Sequence, residues 1–335
     1  MFKAAQGTAR MMGRSRPGAT VARPAAPLHA RCRRRPRQPA HLLLLLLLLG
    51  TGEAAAIMGG APDTDARFAA VVLVLTGEGF CTATKIGPQR LLTAAHCTLD
   101  TASSALHPPF TAGGRLHISN ALHPQGSADL RPVRVRRTQI APAFRAGLER
   151  LQAFKRERIA ALRAQLDDPG LVQRLRERGG DHHFTARFPD AAVIVLDTPT
   201  PAVPTLGTDL GPLAPDEPVT LVGFGCTDAQ PAREATGRDA GLGSRRFAAS
   251  RVIRTDGVNL YTYGRHLRSG APSLCPGDSG GPVLRAGRIV GVHSSVHGFG
   301  GHPGRRGGHS NRAVRLRVLR DWAALDRRAD EDAPR

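Results

Sequence analysis

The sequence predicts an all-β protein whose antiparallel strands fall into two groups, each closed into a barrel. Three observations carry that expectation. Short β-rich apolar runs bounded by glycine and proline recur along the chain. A proline-punctuated stretch divides them into two sets, and no apolar run reaches the 18 or so residues a membrane span needs. In a chain of 335 residues with only 4% aromatics, the cores must be built from leucine, valine, isoleucine and alanine.

The first element is an address rather than a piece of the fold. Residues 42–49 are eight consecutive leucines, preceded by an arginine-rich stretch and followed by Gly50-Thr51-Gly52-Glu53-Ala54-Ala55-Ala56. A basic region, a short apolar run and a small-x-small site describe a secretory signal peptide over residues 1–56, with a long basic region that leaves the translation start open. Cleavage after Ala56 exposes Ile57-Met58-Gly59-Gly60 and removes Cys32. The four cysteines left, Cys81, Cys97, Cys226 and Cys275, then suit an oxidising compartment, periplasmic or extracellular, with three possible pairings into two disulfides.

Strands follow at 69–75, 90–93, 191–196, 219–222 and 288–292, each a run of Val, Ile, Leu and Ala. The first barrel is expected over about 57–200 and the second over about 215–312. The linker is the run from Thr198-Pro199-Thr200-Pro201 through Pro212, Pro215 and Pro218. Residues 145–178 break the pattern. Leu148, Leu151, Phe154, Ile159, Leu162 and Leu166 fall near one helical face, which predicts a helical insertion with a basic outer surface. Val318, Leu319, Trp322 and Leu325 predict an amphipathic helix over about 316–326, ahead of a charged tail at 327–335.

The formal charge of +20 is not evidence for nucleic acid. Ten Lys/Arg against one acid in residues 1–56 contribute nine of those charges, and the remaining eleven are dispersed. The mature chain is basic enough for weak binding to anionic surfaces, without a specific nucleic-acid interface.

Three pieces of sequence carry chemistry. Thr93-Ala94-Ala95-His96-Cys97 ends an apolar strand with a histidine among small residues. Cys275-Pro276-Gly277-Asp278-Ser279-Gly280-Gly281-Pro282 holds a serine in a glycine-rich turn. Asp190 opens the run Ala191-Ala192-Val193-Ile194-Val195-Leu196, an acid at the mouth of a buried strand; Asp181 and Asp197 are rival acids without that setting. The combination, in the order His, Asp, Ser, resembles the chymotrypsin–trypsin family of serine endopeptidases over nearly all of residues 57–325.

That resemblance implies two six-stranded barrels with the active site in the cleft between them, polypeptide substrates, and neither organic cofactor nor metal. It assigns Ser279 as nucleophile, His96 as general base and Asp190 as the acid that orients the imidazole. The N–H groups of Gly277 and Ser279 form the oxyanion hole. It also implies an ion pair between the freed amine of Ile57 and Asp278; because Ala56, at the expected signal-peptidase site, precedes Ile57 where most relatives have Arg or Lys, export itself is expected to mature the enzyme. Cys81 pairs with Cys97 in the family pattern; Cys226 and Cys275 either bond to each other or stay as thiols.

The residue six before the nucleophile is Ser273 rather than an aspartate, so a preference for Arg or Lys side chains is not expected. Ser294, Val296 and Asn311 are the expected pocket walls, with Val296 narrowing the entrance. The late histidines His293, His297, His302 and His309, and the earlier His182 and His183, are attributed to loop composition. The competing reading is a catalytically silent cationic protein that binds anionic surfaces.

Overall fold

The computed structural model describes residues 57–77, 79–124, 126–163, 187–226, 243–265, 267–298 and 309–325. Residues 1–56, read above as a signal peptide, the expected insertion beyond 163, Asp181, His182, His183, His302 and the tail 327–335 lie outside the described residues.

In chain order the elements are β1 (Ala61–Pro62), β2 (Val71–Leu75), β3 (Phe80–Gly87), β4 (Arg90–Thr93), β5 (Arg115–Ser119), β6 (Arg131–Ile140), α1 (Pro142–Arg163) and β7 (Ala192–Leu196). Then come β8 (Pro218–Gly223), β9 (Arg246–Thr255), β10 (Asn259–Tyr263), β11 (Pro282–Arg285), β12 (Arg288–Gly298) and β13 (His309–Arg315). The first barrel closes in the order β2-β3-β4-β7-β6-β5. The second runs β9-β10-β13-β12-β11-β8 and closes where β8 pairs with β9. Every strand pair is antiparallel, so both barrels are the expected all-β class.

The burial pattern explains which sequences became strands. β7 is buried at all five positions, so its run Ala-Val-Ile-Val-Leu needs no polar alternation. β6 is the opposite case. Val135 and Ile140 point inward while Arg131, Arg134, Arg136 and Arg137 are exposed, and a bulge between Val135 and Arg137 resets the register against β7.

Two segments depart from the sequence reading. The helical insertion starts earlier than expected, at Pro142, which suits the first helical turn because proline's fixed φ fits it and its missing N–H is not needed there. Among the described residues of the helix, Phe144, Gly147 and Leu148 are buried; Phe154 is 57% exposed, so the apolar face meets the barrel over its first turns. The expected α-helix at 316–326 is instead two short 3-10 turns, Leu316–Leu319 and Ala323–Leu325. Leu316 and Leu319 are both buried, and a three-residue spacing aligns side chains on a 3-10 turn better than on an α-helix.

The barrel boundaries cross at the chain ends. β1, expected with the first barrel, pairs with β9 of the second, and Ile57 packs into the second core. The C-terminal residues Leu316, Leu319, Ala324 and Leu325 join the core cluster of the first barrel, where Arg90 of β4 donates to the Ala324 carbonyl.

A buried ion pair ties the two barrels. Asp63 and Arg245 have fully buried side chains 2.7 Å apart, and Arg245 also donates to the Asn120 carbonyl at 2.9 Å. Asp63 accepts from the N–H groups of Arg67 and Phe68. Removing one partner strands the other charge in the interior. Asp63→Ala is therefore expected to cost on the order of 3 kcal/mol in a denaturant-unfolding measurement, far more than loss of an exposed pair. A loss under about 1 kcal/mol would contradict that role.

Candidate active site

The two motifs meet where the barrels face each other. Strand β4 ends at Thr93, and His96 sits on a 3-10 turn, Ala95–Cys97, directly after it. Asp190 lies just before β7, the neighbour of β4, so the strand pairing that sets Thr93 opposite Ala192 also brings the acid to the imidazole. The Asp190 carboxylate is fully buried and lies 2.7 Å from His96 Nδ1. Its other oxygen accepts the backbone N–H of His96 at 2.9 Å. A third donor, the hydroxyl of Ser294, reaches the carboxylate at 2.7 Å.

These contacts decide the charge state of the acid. Burial alone would push the Asp190 carboxyl up, but the His96 charge and the hydrogen bonds from His96 and Ser294 outweigh it and hold it below the usual carboxylate range. For His96 burial acts downward, the Asp190 carboxylate pushes the imidazole up, and Arg312 pulls it back; the net direction is up.

Ser279 is half-buried on the turn between Cys275 and β11. Thr82 of β3 fixes this turn against the first barrel. Its N–H donates to the Ser279 carbonyl at 2.8 Å, its hydroxyl donates to the Gly277 carbonyl at 2.7 Å, and its own carbonyl accepts from Thr93. Cys97 Sγ lies 3.8 Å from His96 Nε2 and 3.7 Å from the Ser279 carbonyl oxygen, so one sulfur atom spans the imidazole and the serine backbone. Among the described residues, the Ser279 hydroxyl makes no hydrogen bond to His96 in this geometry. Such bonds are often long or misaligned without substrate.

Glycine is required at two points of the turn. Gly277 has φ +97°, and a Cβ there would sit 2.5 Å from Phe80 Cε2. At Gly280, φ +85°, a Cβ would overlap the Thr82 carbonyl and the Thr93 hydroxyl. Among the described residues, the N–H groups of Gly277 and Ser279 donate to no protein acceptor.

Asp278 is fully buried behind the turn and accepts from the N–H groups of Gly225 at 2.8 Å and Cys275 at 3.0 Å. Burial pushes its carboxyl up to about 7, and the hydrogen bonds from Gly225, Cys275 and Ile57 only partly counter it. Ile57, expected as its partner, is thus brought to it, through its backbone nitrogen.

The structure pairs Cys81 with Cys97 and Cys226 with Cys275. Cys81, His96 and Cys97 bring ligand-type atoms within 4.8 Å of one another, but both sulfurs are committed to the disulfide.

The expected pocket residues come together, with different duties. Val296, half exposed on β12, lies opposite Asn311 on β13. Asn311 is buried and uses its amide on the neighbouring loop: its oxygen accepts from Leu274 N–H, and its nitrogen donates to the carbonyls of Pro272 and Tyr263. Ser273 accepts from the Arg265 N–H at 2.7 Å. Ser294 turns its hydroxyl to Asp190. Nor is His293 a loop histidine: it is buried on β12, where loss of water pulls its imidazole down to about 3 and keeps it uncharged. Sequence reasoning missed Thr82 and the Ser294–Asp190 bond; the signal for each was a hydroxyl residue inside an otherwise apolar strand.

Two closed antiparallel barrels with a His–Asp couple and a glycine-lined serine turn between them define a serine-peptidase scaffold. The sequence profile of the trypsin family matches residues 182–322, and over that stretch the chain is similar to the chymotrypsin–trypsin family. Among solved structures it is similar to human heparin binding protein, with 15% identity, a TM-score of 0.50, and coverage of 83% of this chain and 99% of that one. It is also similar to neuropsin, a serine protease of the mouse brain limbic system, with 14% identity, a TM-score of 0.50, and coverage of 79% and 97%. Identities this low speak to fold alone. No curated protein sequence matches the chain.

Proposed function

We propose that the mature chain is an exported serine endopeptidase. Ser279 attacks the peptide carbonyl, His96 takes its proton and returns it to the leaving amine, and Asp190 holds the imidazole tautomer and stabilises the imidazolium. The N–H groups of Gly277 and Ser279 receive the oxyanion of the tetrahedral intermediate. The observation that carries this reading is the buried Asp190 carboxylate 2.7 Å from His96 Nδ1, beside a serine turn clasped to the same barrel by Thr82.

Maturation follows from the same geometry. Cleavage after Ala56 by the export machinery frees the amine of Ile57 beside Asp278 and supplies the cation that carboxyl lacks. Specificity follows from Ser273: an uncharged floor gives basic side chains no partner, so apolar or modest-sized side chains are preferred, with Val296 at the rim.

A fluorophosphonate probe tests the proposal on the chain beginning at Ile57. One adduct is expected on the wild-type protein and none on Ser279→Ala. Absence of label on wild type would overturn the reading. A peptide-library profile dominated by Arg or Lys would overturn the specificity statement alone.

A further inference from the structure

The two N–H groups assigned to the oxyanion, on Gly277 and Ser279, sit in a turn whose successive peptide planes are each held at the carbonyl. An N–H shares a rigid plane with the carbonyl that precedes it, so holding that carbonyl aims the N–H. The plane carrying the Gly277 N–H also carries the Pro276 carbonyl, which accepts from Cys226 N–H at 3.0 Å. The next plane carries the Gly277 carbonyl, held by the Thr82 hydroxyl at 2.7 Å. The Ser279 N–H shares its plane with the Asp278 carbonyl, which accepts from Gly281 N–H at 3.0 Å. The plane after that carries the Ser279 carbonyl, held by Thr82 N–H at 2.8 Å.

Two of these four restraints come from one residue of the other barrel. Thr82 is fully buried on β3, and its hydroxyl is committed in both senses: it accepts from Phe224 N–H at 3.1 Å while donating to Gly277. Phe224 follows β8 directly, so a single oxygen atom joins β3, the end of β8 and the serine turn. The hydroxyl matters because Gly277, with φ +97° and no side chain, is the freest point of that turn. A plane fixed on each side of its Cα sets both of its torsions. Without the hydroxyl bond the plane after Gly277 can turn, and the aim of the Gly277 N–H relative to the Ser279 N–H turns with it.

We propose that Thr82 is a positioning residue for the oxyanion hole, its hydroxyl locking the peptide between Gly277 and Asp278 so that the two N–H donors keep a fixed relative aim. The proposal rests on the triad reading above and adds to it a hydroxyl that touches neither substrate nor triad. Its effect falls on the transition state. Full charge on the oxygen exists only in the tetrahedral species, so slackened donors cost little in substrate binding and much in turnover. A merely structural threonine would change how much enzyme is folded and leave kcat per folded molecule alone.

The test compares wild type with Thr82→Val, Thr82→Ala and Thr82→Ser on an N-acylated alanine peptide anilide, with rates referred to the folded fraction measured by near-ultraviolet circular dichroism. Valine keeps the volume and removes the hydroxyl. For valine and alanine a loss of roughly tenfold to 10²-fold in kcat is expected, with KM within about twofold, and serine restores kcat to within about threefold. The amide proton signals of Gly277 and Ser279, read by NMR in the same proteins, are expected to shift with valine and return with serine. An unchanged kcat, a loss carried by KM, a fall that serine does not correct, or failure of both valine and alanine chains to fold would overturn the proposal. If wild type neither cleaves the anilide nor takes the fluorophosphonate, the triad reading fails, and the two amide signals still decide whether Thr82 sets the turn.

Discussion

Asp190→Asn is expected to lower kcat near neutral pH by about 10⁴-fold while leaving the fold intact. Asparagine preserves the shape of the site, and its oxygen can still accept from the His96 N–H or from Ser294, both of which bond the carboxylate. What changes is the atom facing His96 Nδ1. Today that atom is a carboxylate oxygen at 2.7 Å, which demands a proton on Nδ1 and leaves Nε2 free to act as base. An amide N–H in its place demands the other tautomer, with Nε2 protonated and unable to accept from Ser279. The measurement is single-substrate kinetics on the variant beside its thermal-unfolding midpoint. A loss below tenfold would mean that Asp190 does not orient the base.

The second large effect concerns Asp278 and the chain start. With any residue still attached before Ile57, the nitrogen near Asp278 is a neutral amide, and burial holds the carboxyl at about 7 instead of 3.8. The folded form then binds this proton more tightly than the unfolded form does. Stability attached to the group is present at low pH and lost as pH rises from about 4 to about 7, flat beyond that; the shift corresponds to about 4 kcal/mol. A chain beginning at Ile57 places an ammonium there, keeps the carboxyl ionised and removes the loss. Guanidinium unfolding of the two forms should therefore diverge by several kcal/mol between pH 4 and pH 8. Parallel profiles would sink the pairing of Ile57 with Asp278. Because Asp278 lies between Gly277 and Ser279, the extended form is also expected to be the poorer catalyst.

How far the sequence reached depends on the range over which each feature is encoded. β2, β4, β7, β8 and the first half of β12 are apolar runs that announce themselves. β6 and β9 do not, because their outward positions carry arginines and a bulge breaks their alternation. The face of α1 was legible, but Phe154 shows why its contact was not: periodicity marks an apolar stripe and says nothing about where the barrel beneath it ends. Leu316 and Leu319 fit an α-helix or a 3-10 turn equally well from spacing alone. The catalytic candidates were readable because each sits in a short motif. Thr82 and Ser294 act across strand registers, with Thr82 bonded 195 residues away, and such partners are settled by topology rather than by neighbours in sequence.

The exchange of chain ends between barrels makes each half of the molecule incomplete by itself. β1 straps the second barrel although it precedes the first, and residues 316–325 plug the first although they follow the second. A polypeptide nicked in the proline-rich connection would yield fragments each holding a fastener that belongs to the other. Complementation of the nicked pieces, not autonomous modules, is the behaviour this topology favours.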